Sequence, residues 1–203
     1  MNGFRNGNRK RLIVCLTGMP GAGKSTVAAS LKEKGFSLIT MGDIVREEAK
    51  QQNLEPTDTN LGDLMLKLRC DLGPGAVAHL VLRKMQRDSG NGISIGNVVI
   101  DGIRSIHEVE VLKTIGRVKL LAIHASTNTR FGHLKERART DAPSILEDLI
   151  TRDKRELKVG VSEAIALADE ILSNNNRTIE ELKEKTLVLI QKWIDEIDED
   201  NNE

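Results

Sequence analysis

Hydrophobic residues along the chain form five short runs with little polar interruption, separated by longer segments in which they recur every three or four positions. The runs lie at 11–18, 36–43, 97–103, 118–126 and 169–174. Spacing of three and four is typical of amphipathic helices, and nearly continuous apolar runs are typical of strands buried on both faces. This alternation predicts a parallel sheet covered by helices, with ligands bound at the carboxyl ends of its strands.

Two segments interrupt the alternation. Residues 44–95 contain no strand-like run and predict three helices, separated by the turn-forming stretches NLEPTDT and LGPG. Residues 136–160 are rich in charge, and Ser144 and Glu147 have the spacing of a capping box, which predicts a helix that ends near Gly160. The expected organisation is one α/β domain over 1–203, with its core at about 11–43, 96–135 and 161–199, a helical insertion at 44–95 and a lid at 136–160.

Composition excludes several kinds of partner. Lys and Arg total 30 and Asp and Glu total 30, so no excess of positive charge predicts binding to nucleic acid or to an acidic membrane. No run reaches the roughly 20 apolar residues of a membrane-spanning helix. Cys15 and Cys70 match no metal-ligand spacing, so we interpret both as small core residues of a protein in a reducing compartment. We expect a cytoplasmic protein, and the sequence gives no indication of its oligomeric state.

The first apolar run leads into GMPGAGKS at 18–25, which fits the phosphate-loop pattern GxxxxGK[ST] between a strand and a helix. Its glycines let the backbone wrap closely around a phosphate, so that successive N–H groups and the helix N-terminus face the anion. Lys24 is predicted to contact the terminal phosphates of ATP, and Ser25 to bind Mg²⁺. The predicted nucleotide-binding residues of the loop are Gly18, Gly21, Ala22, Gly23, Lys24, Ser25 and Thr26.

The run VVIDGIR at 98–104 ends on polar residues that can join this site. Asp101 lies at the end of a predicted strand, where it can neighbour the phosphate loop and hold Mg²⁺ through water. An Asp-Gly pair is also ordinary turn chemistry, which is the alternative. Ser105 and Glu108 have capping-box spacing, so a helix is predicted to start there. Arg104 then lies at the strand-to-helix turn and faces the same crevice.

The segment MGDIVR at 41–46 ends the second predicted strand and enters the helical insertion. Asp43 and Arg46 are three residues apart, close to one helical turn, so both can face a bound substrate. An arginine fork suits an acceptor phosphate because it binds two oxygens at once. The alternative is a capping aspartate beside a solvated arginine.

The predicted lid helix carries Arg152 and Arg155, and Arg137 and Arg139 precede it. Phosphoryl transfer needs cations around the moving group and protection from water, and a closing lid can supply both. The alternative is a solvated helix surface, because Asp148 and Glu156 are each four residues from Arg152.

Together, these segments resemble the nucleoside monophosphate kinase group of P-loop kinases. Within it the chain is most similar to an archaeal adenylate-kinase-related family, also described as dephospho-CoA-kinase-like, whose substrate is not settled. The resemblance spans about 11–185 and implies a three-layer fold with a five-stranded parallel sheet in the order 2-3-1-4-5. It implies acceptor binding by Asp43 and Arg46 and a metal-side role for Asp101.

Other features match the kinase group less closely. The DGFPR segment of the group reads DGIRS here, which places Arg104 one position earlier. Lid arginines of adenylate kinases hold the nucleotide and the moving phosphoryl group, and Arg137, Arg152 and Arg155 are similar to them in type.

The predicted function is ATP- and Mg²⁺-dependent phosphoryl transfer to a small phosphorylated acceptor such as a nucleoside monophosphate. The predicted catalytic residues are Lys24, Asp101, Arg152 and Arg155. An attacking phosphate needs no general base, whereas an attacking hydroxyl benefits from a carboxylate, for which Asp43 is the candidate. The alternative function is a kinase-like ATPase or switch acting on a protein or ribonucleoprotein partner, which a basic N-terminal cluster favours weakly. That cluster consists of Arg5, Arg9, Lys10 and Arg11.

Overall fold

Five parallel strands form a single sheet in a computed structural model of the chain, which describes residues 11–90, 96–136 and 145–200. In chain order the strands are β1 (Leu12–Thr17), β2 (Ser37–Thr40), β3 (Val98–Ile103), β4 (Arg117–His124) and β5 (Glu170–Ser173). Their order across the sheet is β2-β3-β1-β4-β5. The predicted α/β fold and its strand order are therefore confirmed.

Helices fill the segments between the strands. They are α1 (Lys24–Glu33), α2 (Met41–Gln51), α3 (Asp58–Leu72), α4 (Ala76–Gly90), α5 (Ile106–Leu112), α6 (Thr127–Glu136), α7 (Leu146–Val159), α8 (Val161–Ala166) and α9 (Ile179–Asp200). Helices α2, α3 and α4 lie between β2 and β3, where the sequence predicts three helices. Strand β2 ends before the predicted boundary because α2 already begins at Met41, so Asp43 and Arg46 both belong to α2.

Helix α7 occupies the predicted lid segment and ends at Gly160, whose φ of 108° is in the left-handed region that favours glycine. Its N-terminus differs from the predicted capping box. Asp148, and not Glu147, accepts a hydrogen bond from the backbone N–H of Ile145 at 3.2 Å. Ser144, the other half of the predicted box, lies outside the described residues.

The core has two parts because β1 is buried on both faces of the sheet. Ile13 and Cys15 pack with residues of α2 to α5 and α8, whereas Val14 and Leu16 pack with α1 and α9. Trp193 of α9 belongs to the second part and is 2% exposed. Among the described residues, no helix has the length and apolar character needed to cross a lipid bilayer.

The two cysteines differ in environment. Cys15 is buried in β1, and burial raises the pKa of its thiol well above the ordinary range. Cys70 is exposed, so its prediction as a core residue is wrong. Helix α3 buries Leu64 and Leu68 instead. Cys70 follows Leu68 by two positions, which turns it about 200° around the helix and away from the core.

Candidate active site

The phosphate loop connects β1 to the N-terminus of α1, and its glycines are required by both conformation and space. Gly18 and Gly23 have φ values of 137° and 109°. A Cβ at Gly18 would lie 2.2 Å from the carbonyl oxygen of Ile123, and one at Gly23 would lie 2.6 Å from Nδ2 of Asn174. The loop therefore passes too close to β4 and to the segment after β5 for any larger residue.

Lys24 occupies the first position of α1 and folds its side chain back over the loop. Its Nζ donates hydrogen bonds to the carbonyl oxygens of Gly18 at 2.7 Å and Met19 at 3.1 Å. Burial lowers the pKa of Lys24 from 10.5 to about 8; Asp101 and Glu156 oppose the shift, and Arg104 and Arg152 add to it. The charges of these four residues therefore act on the protonation of the lysine.

Asp101 lies on β3, which pairs with β1 in parallel, so its carboxylate reaches the start of α1. The hydroxyl of Ser25 donates to Oδ2 of Asp101 at 3.3 Å. Asp101 is only 6% exposed, and its other oxygen, Oδ1, is buried without a hydrogen-bond partner in the described part of the chain. An unsatisfied buried carboxylate oxygen is unfavourable, and a hard cation such as Mg²⁺ prefers oxygen ligands. Ser25 and Asp101 therefore fit a magnesium ion.

Arg104 follows β3 and reaches the lid helix. Its Nε donates to Oε2 of Glu156 at 2.6 Å, and its Nη1 contacts Sδ of Met65 on α3 at 3.6 Å. Burial acts to raise the pKa of Glu156, but Arg104, Lys24 and Arg152 outweigh it and hold that pKa below its ordinary value. Glu156, which the sequence offers only as a helical neighbour of Arg152, thus belongs to the charged crevice.

The turn that carries Arg104 is held by a buried carboxylate. Glu108 is fully buried, and its two oxygens accept from the backbone N–H of Arg104 and from Nη2 of Arg69, each at 2.8 Å. Ser105 caps α5 by accepting from the N–H of His107 at 3.1 Å. The predicted helix start is correct, but the capping box is not formed. A capping box requires Glu108 to accept from the backbone N–H of Ser105, whereas it accepts from the backbone N–H of Arg104. Arg69 of α3 is a member of this network that the sequence analysis did not identify.

The remaining predicted residues divide between the crevice and its surroundings. The charge of Arg152 adds to the lowering of the pKa of Lys24. Arg155 lies beside α3, with its Nη1 3.8 Å from the position of a Cβ at Gly62. Asp43 and Arg46 pair with each other at 2.5 Å, and their side chains are 64% and 47% exposed. Arg137 and Arg139 lie outside the described residues.

Arg130 of α6 supports the loop and the lid helix together, a role that the sequence analysis missed. It is 3% exposed, and its two Nη atoms donate to the two oxygens of Asp153 on α7 at 2.9 and 2.5 Å. Nη1 also donates to the carbonyl oxygen of Pro20 at 3.0 Å. One turn further along α6, Nδ1 of His133 lies 2.9 Å from the carbonyl oxygen of Gly21. Arg130 and Asp153 are 23 residues apart, so no local spacing signals the pair.

Comparison with known proteins identifies the family. A family model described as an AAA domain matches residues 17–150. A UPF0200 protein of Pyrococcus abyssi (strain GE5 / Orsay) is 38% identical over 184 residues, which cover 89% of this chain and 96% of the relative. The chain belongs to the UPF0200 family and carries an AAA domain.

Solved structures resemble this UPF0200 protein along most of its length. Protein TT1252 from Thermus thermophilus gives a TM-score of 0.62 at 18% identity, and the match covers 90% of this chain and 98% of that protein. Shikimate kinase from Acinetobacter baumannii, solved in complex with shikimate, gives a TM-score of 0.56 at 16% identity, with 91% and 95% covered. At such identities the likeness shows the fold, which is that of a P-loop kinase-like protein.

Proposed function

We propose that this UPF0200 protein is an ATP- and Mg²⁺-dependent phosphotransferase that acts on a small phosphorylated acceptor, such as a nucleoside monophosphate. The observation that carries the proposal is Lys24 folded over the phosphate loop beside the Ser25–Asp101 pair, with the charges of Arg104 and Arg152 acting on its pKa. Three cations around one space suit the charge of a transferring phosphoryl group.

The donor side of the crevice is formed by the phosphate loop. The loop N–H groups and Lys24 bind the β- and γ-phosphates of ATP, which favour the ammonium form of the lysine. Ser25 and Asp101 would hold Mg²⁺, and the buried Oδ1 of Asp101 without a hydrogen-bond partner supports this assignment. The ion supplies charge neutralisation on the β- and γ-phosphates when it is bound.

The acceptor side is formed by arginines from three elements. Arg104 follows β3, Arg152 and Arg155 belong to α7, and Arg46 belongs to α2. A phosphate acceptor is ionised near neutral pH and needs no general base. Asp43, the candidate base for a hydroxyl acceptor, is largely exposed to solvent. This favours a phosphate as the attacking group and supports the resemblance to nucleoside monophosphate kinases over dephospho-CoA kinases.

A panel assay tests the proposal. ADP release is coupled to an optical readout with ATP, Mg²⁺ and, in turn, each nucleoside monophosphate and dephospho-CoA. We expect at least one monophosphate to stimulate ADP release above the ATPase background. Lys24→Ala should abolish that stimulation while its circular dichroism spectrum stays native.

Two outcomes would contradict the proposal. If no small acceptor stimulates ADP release, phosphoryl transfer to a small phosphorylated acceptor is contradicted. Stimulation of ATP hydrolysis by ribosomal material alone would instead support the alternative of an ATPase or switch that acts on a ribonucleoprotein partner.

A further inference from the structure

Glu156 places a negative charge inside the crevice that the proposed function assigns to phosphates. Its side chain is 13% exposed and accepts from Nε of Arg104 at 2.6 Å. Against the effect of burial, the charges of Arg104, Lys24 and Arg152 keep the pKa of this carboxyl below its ordinary value, so the glutamate stays negatively charged. A carboxylate in such a setting imitates the anion that these cations are arranged to bind.

The contact with Glu156 determines how much of Arg104 an incoming ligand can use. A guanidinium binds a phosphate best through two parallel N–H groups on one edge. In this structure Nε is bonded to Glu156 and Nη1 faces Sδ of Met65. An acceptor phosphate therefore cannot use the Nε edge of Arg104 while Glu156 remains in place.

We propose that Glu156 is an internal competitor for the acceptor: it occupies the anion position on Arg104, and an acceptor phosphate binds by exchanging with it. The proposal rests on the proposed function, because it assigns the crevice to an anionic acceptor. It makes Glu156 a residue that sets the affinity for the acceptor, in addition to the arginines that bind it.

The exchange does not require the whole lid helix to leave. Asp153, three residues before Glu156 on α7, is held by the buried Arg130 through two hydrogen bonds. Leu149, one turn earlier, is completely buried. These contacts anchor α7, so we expect rotation of the Glu156 side chain to free Arg104 without displacement of the helix. A phosphate can replace the carboxylate because it offers more oxygens and a larger negative charge to Arg104, Arg152 and Lys24 together.

Calorimetric titration of the protein with inorganic phosphate tests this exchange. We expect Glu156→Gln to bind phosphate about tenfold more tightly than the wild type, because a charge-assisted hydrogen bond no longer competes. Glutamine keeps the side-chain volume and can still accept from Arg104, which preserves the fold. Glu147→Gln is the matched control, since it removes the same charge from an exposed position on the same helix and should bind phosphate like the wild type.

A second variant separates competition from structural support. Glu156→Asp keeps the charge but shortens the side chain, and we expect it to tighten phosphate binding by less than Glu156→Gln. Unchanged or weaker phosphate binding by Glu156→Gln, with a native thermal unfolding transition, would overturn the proposal and make Glu156 a support for Arg104. The titration contains no ATP, so this outcome is independent of the turnover panel that tests the proposed function.

Discussion

Breaking the ion pair between Arg130 and Asp153 on one side should destabilise the protein more than breaking one of its surface ion pairs. The two side chains are 4% and 15% exposed. Replacing Arg130 by methionine removes both hydrogen bonds that Arg130 donates to the Asp153 carboxylate, in a largely dry site. Breaking a buried pair in this way destabilises a protein by about 3–5 kcal/mol, a large part of a typical total stability of about 5–15 kcal/mol.

Urea unfolding followed by circular dichroism measures this loss at constant pH. The control is Lys113→Met, which breaks the pair with Glu110, whose two side chains are 53% and 60% exposed. An exposed pair contributes about 0–1 kcal/mol, so the control should lower the free energy of unfolding by less than about 1 kcal/mol.

A double variant shows whether the loss comes from the unpaired charge. Arg130→Met combined with Asp153→Leu removes both charges, and apolar replacement of a buried pair is often neutral or stabilising. We expect the double variant to be clearly more stable than Arg130→Met alone. If Arg130→Met costs no more than Lys113→Met, or if the effects of Arg130→Met and Asp153→Leu are additive, the unpaired Asp153 carboxylate does not destabilise the protein as expected.

Three further predictions concern the phosphate loop. Burial lowers the pKa of Lys24 to about 8, and bound phosphates favour its ammonium form. ATP binding should therefore take up a proton above pH 8, and its affinity should fall as the pH rises to 9. Calorimetry in two buffers of different ionisation enthalpy measures the proton uptake. Asp101→Asn and Ser25→Ala should each raise the Mg²⁺ concentration for half-maximal activity at least tenfold in a magnesium titration, whereas Ser25→Thr should not. Gly23→Ala should abolish nucleotide binding in a fluorescent-nucleotide assay, whereas Gly35→Ala, with a φ of 91° but no atom within 4 Å of its Cβ, should retain it.

The sequence predicts the sheet and the phosphate loop well because both depend on local patterns. The central strands β1 and β3 are short apolar runs buried on both faces, and the loop needs glycine at fixed positions in a strand–turn–helix context. Asp101 could be predicted for the same reason, since parallel strands bring their carboxyl ends to one edge of the sheet.

The charged contacts around the loop depend on how distant elements pack, which spacing does not reveal. Glu156 lies one helical turn from Arg152 in the sequence, yet its hydrogen bond goes to Arg104, 52 residues earlier. Arg69 and Glu108 are likewise 39 residues apart. Helical spacing identifies neighbours on one helix. It does not show which face of the helix packs on another element, or which residue there forms the ion pair.

The unequal burial of the two cysteines provides a way to observe the helical insertion in solution. The sequence contains only Cys15 and Cys70, and only Cys70 is exposed. A thiol reagent should therefore attach a dye to α3 in the unmodified protein, because the buried thiol of Cys15 stays protonated. Trp193 is the single tryptophan, and its side chain projects from α9 into the core. Energy transfer from this tryptophan to the dye would report the distance between the core and the insertion as ligands bind.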